Sequence, residues 1–297
     1  MRAPDPAEIG RVGDLGPADV LDALRLAGDG RVYDLDAGRF VGMPQWDGHP
    51  RFTLTPYRTP HGVRLANDVE LFAPERNAAG IGMVTELMST GMHTGTHLDA
   101  LCHITDGDDT WYGGYSAADH CGDFGPVRAD AATIPPVICR GVLLDAAGHF
   151  GVPALERGHG LDRAALAAIA AAQGTEIPPK SCVLIRTGLM SVWPDRERYA
   201  ATDGAGVDLD GARWLIDDKE CAVLGSDTST VEQIPSADPD NPHPVHHLAL
   251  RQRGVHLLEN AYLEDLARDG IHEFALICLP LKIHGATGSM VRPVAIA

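Results

Sequence analysis

Residues 93–103 of this chain read His93-Thr94-Gly95-Thr96-His97-Leu98-Asp99-Ala100-Leu101-Cys102-His103. Three imidazoles and one carboxylate fall at odd positions, and successive side chains of an extended chain point to opposite faces, so these four would share one face. Gly95 disfavours a helix, because glycine costs about 1 kcal/mol there relative to alanine. Imidazole nitrogen and carboxylate oxygen suit zinc, manganese or iron. The stretch therefore predicts a strand that runs into a loop and presents a metal site.

A second segment, residues 244–260, offers further ligands and reads PVHHLALRQRGVHLLEN. A histidine at the start of its predicted helix and Glu259 at the end of its predicted strand would converge after the chain reverses at Gly254. Glu259 follows an apolar run, where burial of an unpaired carboxylate is costly. A metal ion would remove that cost, and so would an arginine, so both explanations stay open at this point.

Charge and hydropathy exclude several classes of partner. The chain has 297 residues and a formal net charge of −17, and such a field repels phosphate backbones and anionic lipid. We therefore expect neither a nucleic-acid nor a membrane partner. No run approaches the ~20 apolar residues that span a bilayer, and the first residues lack the apolar core of a signal peptide. These patterns predict a cytoplasmic protein.

The six cysteines are scattered and form no C-x-x-C pair. This spacing favours reduced, mostly buried thiols over a disulfide framework. Cys102 stands beside His103, but the alternation of an extended chain would point its thiol away from the histidines. We therefore do not expect a nucleophilic cysteine.

Strand and helix patterns alternate along the chain. Short apolar runs predict strands at 31–35, 82–90, 137–145, 182–187, 221–225, 255–259, 273–279 and 291–296. Helices are predicted at 17–27, 162–173, 211–219, 246–253 and 264–267. Asp162 is a helix cap and Gly174 a helix stop in the clearest of them. The alternation favours an α/β domain with a mixed sheet, and the lack of G-x-G-x-x-G after an early strand argues against a plain Rossmann fold.

The stretch HTGTHLDALCH resembles the H-x-G-T-H-x-D-x-P-x-H signature of the metal-dependent cyclase family of hydrolases. That family includes bacterial kynurenine formamidase, isatin hydrolase and members that act in polyketide ring closure. Further stretches look like family landmarks in the same order: LIRTG at 184–188, GSDTSTVEQIP at 225–235, residues 244–260, and LPLKIHGATGSMVRPVAI at 279–296. The signature is specific for the family and much less specific for the reaction.

The resemblance implies an α/β fold built around a mixed, barrel-like sheet. It covers residues 31–297 as a single domain, which leaves residues 1–30 as an N-terminal extension. It also implies a homodimer or homotetramer that holds one or two divalent metal ions per subunit, zinc or manganese. By position, the resemblance implies His103 as the catalytic acid or base and a set of five metal ligands: His93, His97, Asp99, His246 and Glu259.

Two departures from the family pattern affect these expectations. Leu101 stands where the signature has proline, which weakens a specific assignment as a formamidase. The doublet His246-His247 leaves the helix ligand ambiguous by one residue, and the Pro-Val-His context favours His246.

Metal-activated water and a histidine that moves protons would together hydrolyse an amide, lactam or lactone of a small cyclic or aryl substrate. No Ser nucleophile is expected, because no G-x-S-x-G occurs. A ring-forming cyclase or dehydratase of aromatic polyketide metabolism is the alternative, in which the metal would stabilise an enolate. A non-catalytic metal-binding protein is a third possibility, against which the presence of His103 argues. Candidates for an apolar wall facing the substrate are Trp46, His49, Phe52, Trp111 and Tyr112.

Overall fold

A curled nine-stranded mixed sheet organises the chain, with helices on its flanks. The computed structural model describes residues 5–107 and 109–297. The strands are β1 Val32–Asp34, β2 Thr53–Arg58, β3 Thr85–Ser89, β4 His97–Asp99, β5 Cys121–Gly122, β6 Gly125–Pro126, β7 Val137–Asp145, β8 Gly160–Leu161, β9 Cys182–Arg186, β10 Gly206–Val207, β11 Val223–Ser226, β12 His256–Glu259, β13 Glu273–Cys278, β14 Gly288–Met290 and β15 Val294–Ile296. The α-helices are α1 Pro6–Ile9, α2 Pro17–Leu24, α3 Pro60–Ala66, α4 Ala117–His120, α5 Ala146–Phe150, α6 Arg163–Gln173, α7 Arg196–Thr202, α8 Leu209–Arg213, α9 Pro244–His246 and α10 Glu264–Arg268.

The remaining helical segments are short turns of 3-10 or π type. Turns of 3-10 type lie at Gly10–Asp14, Glu70–Phe72, Tyr112–Gly114, Ala131–Thr133 and Leu189–Val192. Two π-helical turns, Trp214–Asp218 and His247–Arg253, directly continue α8 and α9. The predicted helices 211–219 and 246–253 therefore exist, but each is partly π-helical.

The order of strands across the main sheet is β1-β15-β13-β7-β9-β11-β12-β4-β14. The central pairs β7–β9, β9–β11 and β11–β12 are parallel, and the outer pairs are antiparallel. Most residues of the central strands are apolar and buried, as in parallel strands that lie under helices. The predicted α/β fold with a mixed, barrel-like sheet is confirmed.

The strand through the histidine stretch is much shorter than the sequence predicted. Only His97–Asp99 is a strand. Gly95 takes a positive φ of 62° and turns the chain before it, and a turn closed by the His103 amide, which donates to the carbonyl of Ala100 at 3.0 Å, follows it. The prediction that one extended segment carries all four ionisable side chains was therefore wrong. The predicted last strand, 291–296, is also shorter and begins at Val294.

The N-terminal residues that are described pack on the sheet. Val12 and Ala23 are buried, and the amide of Arg11 donates to the carbonyl of Gly254 at 2.8 Å. Residues 1–4 of the predicted extension lie outside the described residues. In the part of the chain that is described, no helix combines the length and apolar character needed to cross a membrane.

A two-stranded ribbon stands apart from the main sheet. β2 and β3 pair with each other, and α3 lies in the connection between them. Large apolar side chains of this region are exposed, namely Leu54, Tyr57, Leu65, Leu71, Ile81, Val84, Leu87 and Met88. The ribbon is inserted in the chain between His49 and His93, two residues that line the pocket described below.

All six cysteines are free thiols, and five of them are buried. Cys121 is the exposed one. The sulfur of Cys102 lies 3.9 Å from the carbonyl oxygen of Ala286, and burial raises its pKa well above the usual value for a thiol. A buried, protonated thiol is a poor nucleophile.

Candidate metal centre

Two neighbouring strands, β4 and β12, bring His97, Asp99 and Glu259 to one face of the sheet. β4 lies between β12 and β14, and its register places His97 directly opposite Glu259. Directly opposed residues of an antiparallel pair project to the same face. Asp99 is two residues beyond His97 on the same strand and therefore projects to that face as well.

The imidazole of His97 lies close to both carboxylates. The Nε2 atom of His97 lies 3.4 Å from Asp99 Oδ1 and 3.2 Å from Glu259 Oε2. His93 approaches from the bend before the strand, with its Nδ1 atom 2.7 Å from Asp99 Oδ1. The other ring nitrogen of His93, Nε2, contacts the hydroxyl of Thr287 at 2.9 Å. Asp99 is thus shared by two imidazoles.

The helix ligand of the predicted set comes from the opposite wall. His246, at the end of α9, places its Nε2 atom 3.1 Å from Glu259 Oε1 and 3.7 Å from Asp99 Oδ2. His247 points elsewhere, and its Nε2 atom lies 2.5 Å from Asp106 Oδ1. Neighbouring residues on a helix are rotated by ~100°, so only one member of the doublet can face the cluster. In this structure that member is His246.

The centre of the cluster is short of hydrogen bonds. Four buried atoms have no hydrogen-bond partner of acceptable geometry: His97 Nε2, both carboxylate oxygens of Asp99, and Glu259 Oε1. Buried carboxylates without partners are strongly unfavourable, and such groups in proteins are usually paired or bind metals. His97, Asp99 and Glu259 also have donor atoms within 4.8 Å of one another. The donor set and its unmet bonding capacity fit a divalent cation.

The electrostatics of the cluster keep its carboxylates ionised. Burial by itself would raise the pKa of Asp99, but the neighbouring imidazoles of His103 and His93 hold that pKa well below its usual value. The pKa of Glu259 is also lowered: His246 and His97 outweigh the opposing effects of burial and of Asp99. For His97, burial acts to lower the pKa, and the two carboxylates raise it to about 10.

His103 lies at the edge of the cluster: it forms a second group with His93 and Asp99, whose ligand atoms lie within 4.8 Å of one another. Its ring stacks on that of His93, with centroids 4.0 Å apart and planes inclined by 27°, and it lies 6.4 Å from the ring of His246. The side chain is half-buried on the wall of the pocket. Burial lowers the pKa of His103 to about 3, against the attraction of Asp99. The imidazole of His103 is therefore uncharged near neutral pH.

The cluster forms the floor of a pocket of about 180 Å³. Its lining comprises Pro44, Gln45, Trp46, His49, His93, Gly95, His97, His103, Ile104, Tyr199, Ser229, Thr230, His243, His246, Glu259 and Asn260. Five of the six predicted site residues therefore line the pocket. The sixth, Asp99, is fully buried. Trp46 is 60% exposed at the mouth, edge-on to His49 at 4.8 Å.

The candidates for an apolar wall divide into two groups. Trp46 and His49 line the pocket. Phe52 and Trp111 are buried, and Tyr112 packs against the hydrophobic core; none of these three is part of the pocket lining. The sequence gives no periodicity in this region that would have separated the two groups.

Sequence reasoning assigned no role to several residues of the site, among them Glu232, Tyr199, Asn260 and His243. Glu232 accepts a hydrogen bond from His246 Nδ1 at 2.5 Å, and it belongs to the stretch GSDTSTVEQIP, which carried the resemblance but received no role. Tyr199 donates its hydroxyl hydrogen to Asn260 Oδ1, and both residues line the pocket. Asn260 follows Glu259 directly, which was the available signal; Tyr199 lies in a helix with no signal of its own.

Fold and site together define an α/β protein with a candidate divalent-metal centre at the floor of a pocket. The family model described as "Putative cyclase" matches residues 33–233 of the chain. The match covers more than half of the chain, and the chain belongs to the cyclase family. The predicted family resemblance is confirmed.

Relatives and solved structures agree with this assignment. The chain is 26% identical over 271 residues to Cyclase-like protein 3 of Oryza sativa subsp. japonica. The aligned region covers 89% of this chain and 79% of the rice protein. It is 39% identical to kynurenine formamidase of Bacillus thuringiensis (strain Al Hakam), but over only 81 residues, 27% of this chain and 34% of that enzyme.

Two solved structures show how far the fold is shared. The crystal structure of a novel cyclase superposes with a TM-score of 0.83 at 26% identity and covers 98% of this chain and 94% of the other. Isatin hydrolase A from Ralstonia solanacearum gives a TM-score of 0.67 at 21% identity, with 95% and 97% covered. At 21% identity, the similarity to isatin hydrolase A shows a shared fold and no more.

Proposed function

We propose that this protein is a metal-dependent hydrolase that cleaves the C(=O)–N or C(=O)–O bond of a small cyclic or aryl amide, lactam or lactone. The observation that carries the proposal is the set of unpartnered, buried donor atoms on His97, Asp99 and Glu259 at the floor of a pocket. Kynurenine formamidase and isatin hydrolase, two proteins that this chain resembles, are named for reactions of this kind.

The cation would be held by His97, Asp99 and Glu259, with His93 and His246 as the remaining candidates on either side. Asp99 contacts His93 with one oxygen and faces His246 with the other, so its carboxylate would help to hold a second ion if two bind. When bound, zinc or manganese supplies Lewis acidity and makes water nucleophilic near neutral pH.

His103 would move the proton in this reaction. Its ring borders the pocket and stacks on His93, which fixes its plane beside the donor cluster. The imidazole would accept a proton from the attacking water as the carbon–oxygen bond forms, and would deliver it to the leaving nitrogen or oxygen as the other bond breaks. The chain then needs no covalent nucleophile, in agreement with the burial of Cys102, the cysteine next to His103.

The experiment that tests this function combines metal removal with acyl substrates. Protein treated with a chelator should lose hydrolysis of N-formylkynurenine, isatin or simple lactones, and added Zn²⁺ or Mn²⁺ should restore it. Hydrolysis that survives complete removal of metal would contradict the proposal. Silence on all these acyl bonds, together with turnover of poly-β-ketone mimics, would instead support the ring-forming alternative.

We further expect a preference for uncharged substrates. Among the described residues that line the pocket there is no lysine or arginine, and the chain carries a net charge of −17. A remote carboxylate on the substrate would meet no cationic side chain there. Isatin-5-carboxamide should therefore show a kcat/KM about five- to tenfold above that of isatin-5-carboxylate, which corresponds to roughly 1 kcal/mol of repulsion. Equal or reversed kcat/KM values in steady-state assays would contradict the expectation.

Three further expectations remain predictions. They are the cytoplasmic location, the division into an extension at 1–30 and a domain at 31–297, and the homodimer or homotetramer. The mass of the purified protein in solution, measured by light scattering, would test the oligomeric state directly.

A further inference from the structure

Glu232 holds both the ring and the backbone of His246. Its Oε1 atom lies 2.5 Å from His246 Nδ1 and 3.1 Å from His243 Nδ1. The amide of Val245 donates to its Oε2 atom at 2.8 Å, and the amide of His246 donates to Oε1 at 3.4 Å. The carboxylate is 1% exposed. It therefore caps the first turn of the helix and fixes the imidazole that the same helix carries.

This contact determines which ring nitrogen of His246 faces the cluster. A carboxylate only accepts, so Nδ1 must carry the hydrogen in the bond to Glu232. The opposite nitrogen, Nε2, then points at Glu259 Oε1 from 3.1 Å. Histidine ligands of metals are commonly held in this way, by a carboxylate on the nitrogen that does not bind the metal.

The backbone before Glu232 is held in an unfavourable conformation. Val231 is fully buried and has a φ of 60°, a region in which a β-branched residue is rare. Strain of this kind costs of order 1–3 kcal/mol and concentrates at functional sites. Here it occurs at the residue that precedes the carboxylate, which is a second sign that the placement of Glu232 matters.

We propose that Glu232 is a positioning residue: it sets the tautomer and orientation of His246 and thereby raises the affinity of the centre for its cation. The inference rests on the proposed function only in assuming that the cluster binds a divalent ion. Glu232 does not line the pocket, so the role acts through His246 and involves no contact with substrate.

The test compares Zn²⁺ affinity in three purified proteins by competition with a chromophoric chelator. Glu232→Gln keeps the size of the side chain, but an amide cannot accept from the Val245 amide and from both imidazoles at once. We expect its affinity for Zn²⁺ to fall by about 10- to 100-fold. The control is Glu264→Gln, which removes another largely buried carboxylate, paired with Arg186, and should leave Zn²⁺ affinity unchanged.

The outcomes separate this inference from the proposed function. If the wild-type chain binds neither Zn²⁺ nor Mn²⁺, the metal centre itself is wrong. If the wild-type chain binds Zn²⁺ and Glu232→Gln binds it equally well, only the role of Glu232 is wrong. Should Glu232→Gln fail to fold, nitrogen-15 NMR of the Zn²⁺-loaded wild type decides: a hydrogen on Nδ1 of His246 supports the inference, and a hydrogen on Nε2 overturns it.

Discussion

Replacing His97 by alanine should abolish stoichiometric metal binding. His97 contacts both carboxylates of the cluster through Nε2, and its loss leaves Asp99 and Glu259 buried with fewer donors around them. Because even the loss of an outer carboxylate costs 10- to 100-fold in metal affinity, the loss of this imidazole should cost more than ~100-fold. Elemental analysis of the purified variant measures the effect.

Thermal unfolding gives an independent readout of the same change. A ligand that binds only the folded chain stabilises it by about 2.7 kcal/mol at a concentration of 100 Kd, so Zn²⁺ should raise the Tm of the wild type and leave that of His97→Ala unchanged. His61→Ala is the matched control, because this imidazole is exposed in α3 and its removal should alter neither stoichiometry nor the response to Zn²⁺. Full metal content in His97→Ala would refute the assignment.

Replacing His103 by alanine should separate chemistry from metal binding. The ring stacks on His93 but lies 6.4 Å from His246, outside the centre of the cluster. We expect metal content to stay at the wild-type level while kcat falls by about 10²- to 10⁴-fold, the usual contribution of a positioned acid or base. Steady-state kinetics and elemental analysis on the same preparation measure both quantities.

The conservative change Ile104→Val controls for disturbance of the pocket, because Ile104 also lines it and follows His103 in the chain. It should retain kcat within a few-fold. Loss of metal from His103→Ala would make His103 a ligand, and undiminished turnover would remove it from the mechanism. Either result would require a different acid or base in the account.

Much of the fold and the composition of the site could be predicted from the sequence. The helix at Arg163–Gln173 is an example: Asp162 accepts from the Ala165 amide at 2.8 Å and Gly174 ends the helix with a φ of 64°. Such signals are local, and a single sequence contains them. The residue types of the cluster were also recognisable, because few patterns place three histidines and an aspartate so close together.

The geometry that joins these residues could not be predicted, since it depends on contacts distant in sequence. In a fully extended chain, the pleat would place the four side chains of 93–103 on one face. Instead, turns on either side of a three-residue strand bring His93 and His103 together. The pairing of β12 with β4 that sets Glu259 opposite His97 joins residues 162 positions apart. Glu232 was missed for the same reason, because its role depends on a helix that begins twelve residues later.

The central claim is that a divalent cation binds between His97, Asp99 and Glu259. Anomalous diffraction from crystals of active protein, recorded on both sides of the absorption edge of the metal found by elemental analysis, tests it most directly. The account predicts an anomalous peak in contact with His97 Nε2, Asp99 and Glu259. A peak located elsewhere, or none at these residues in crystals that retain activity, would contradict it.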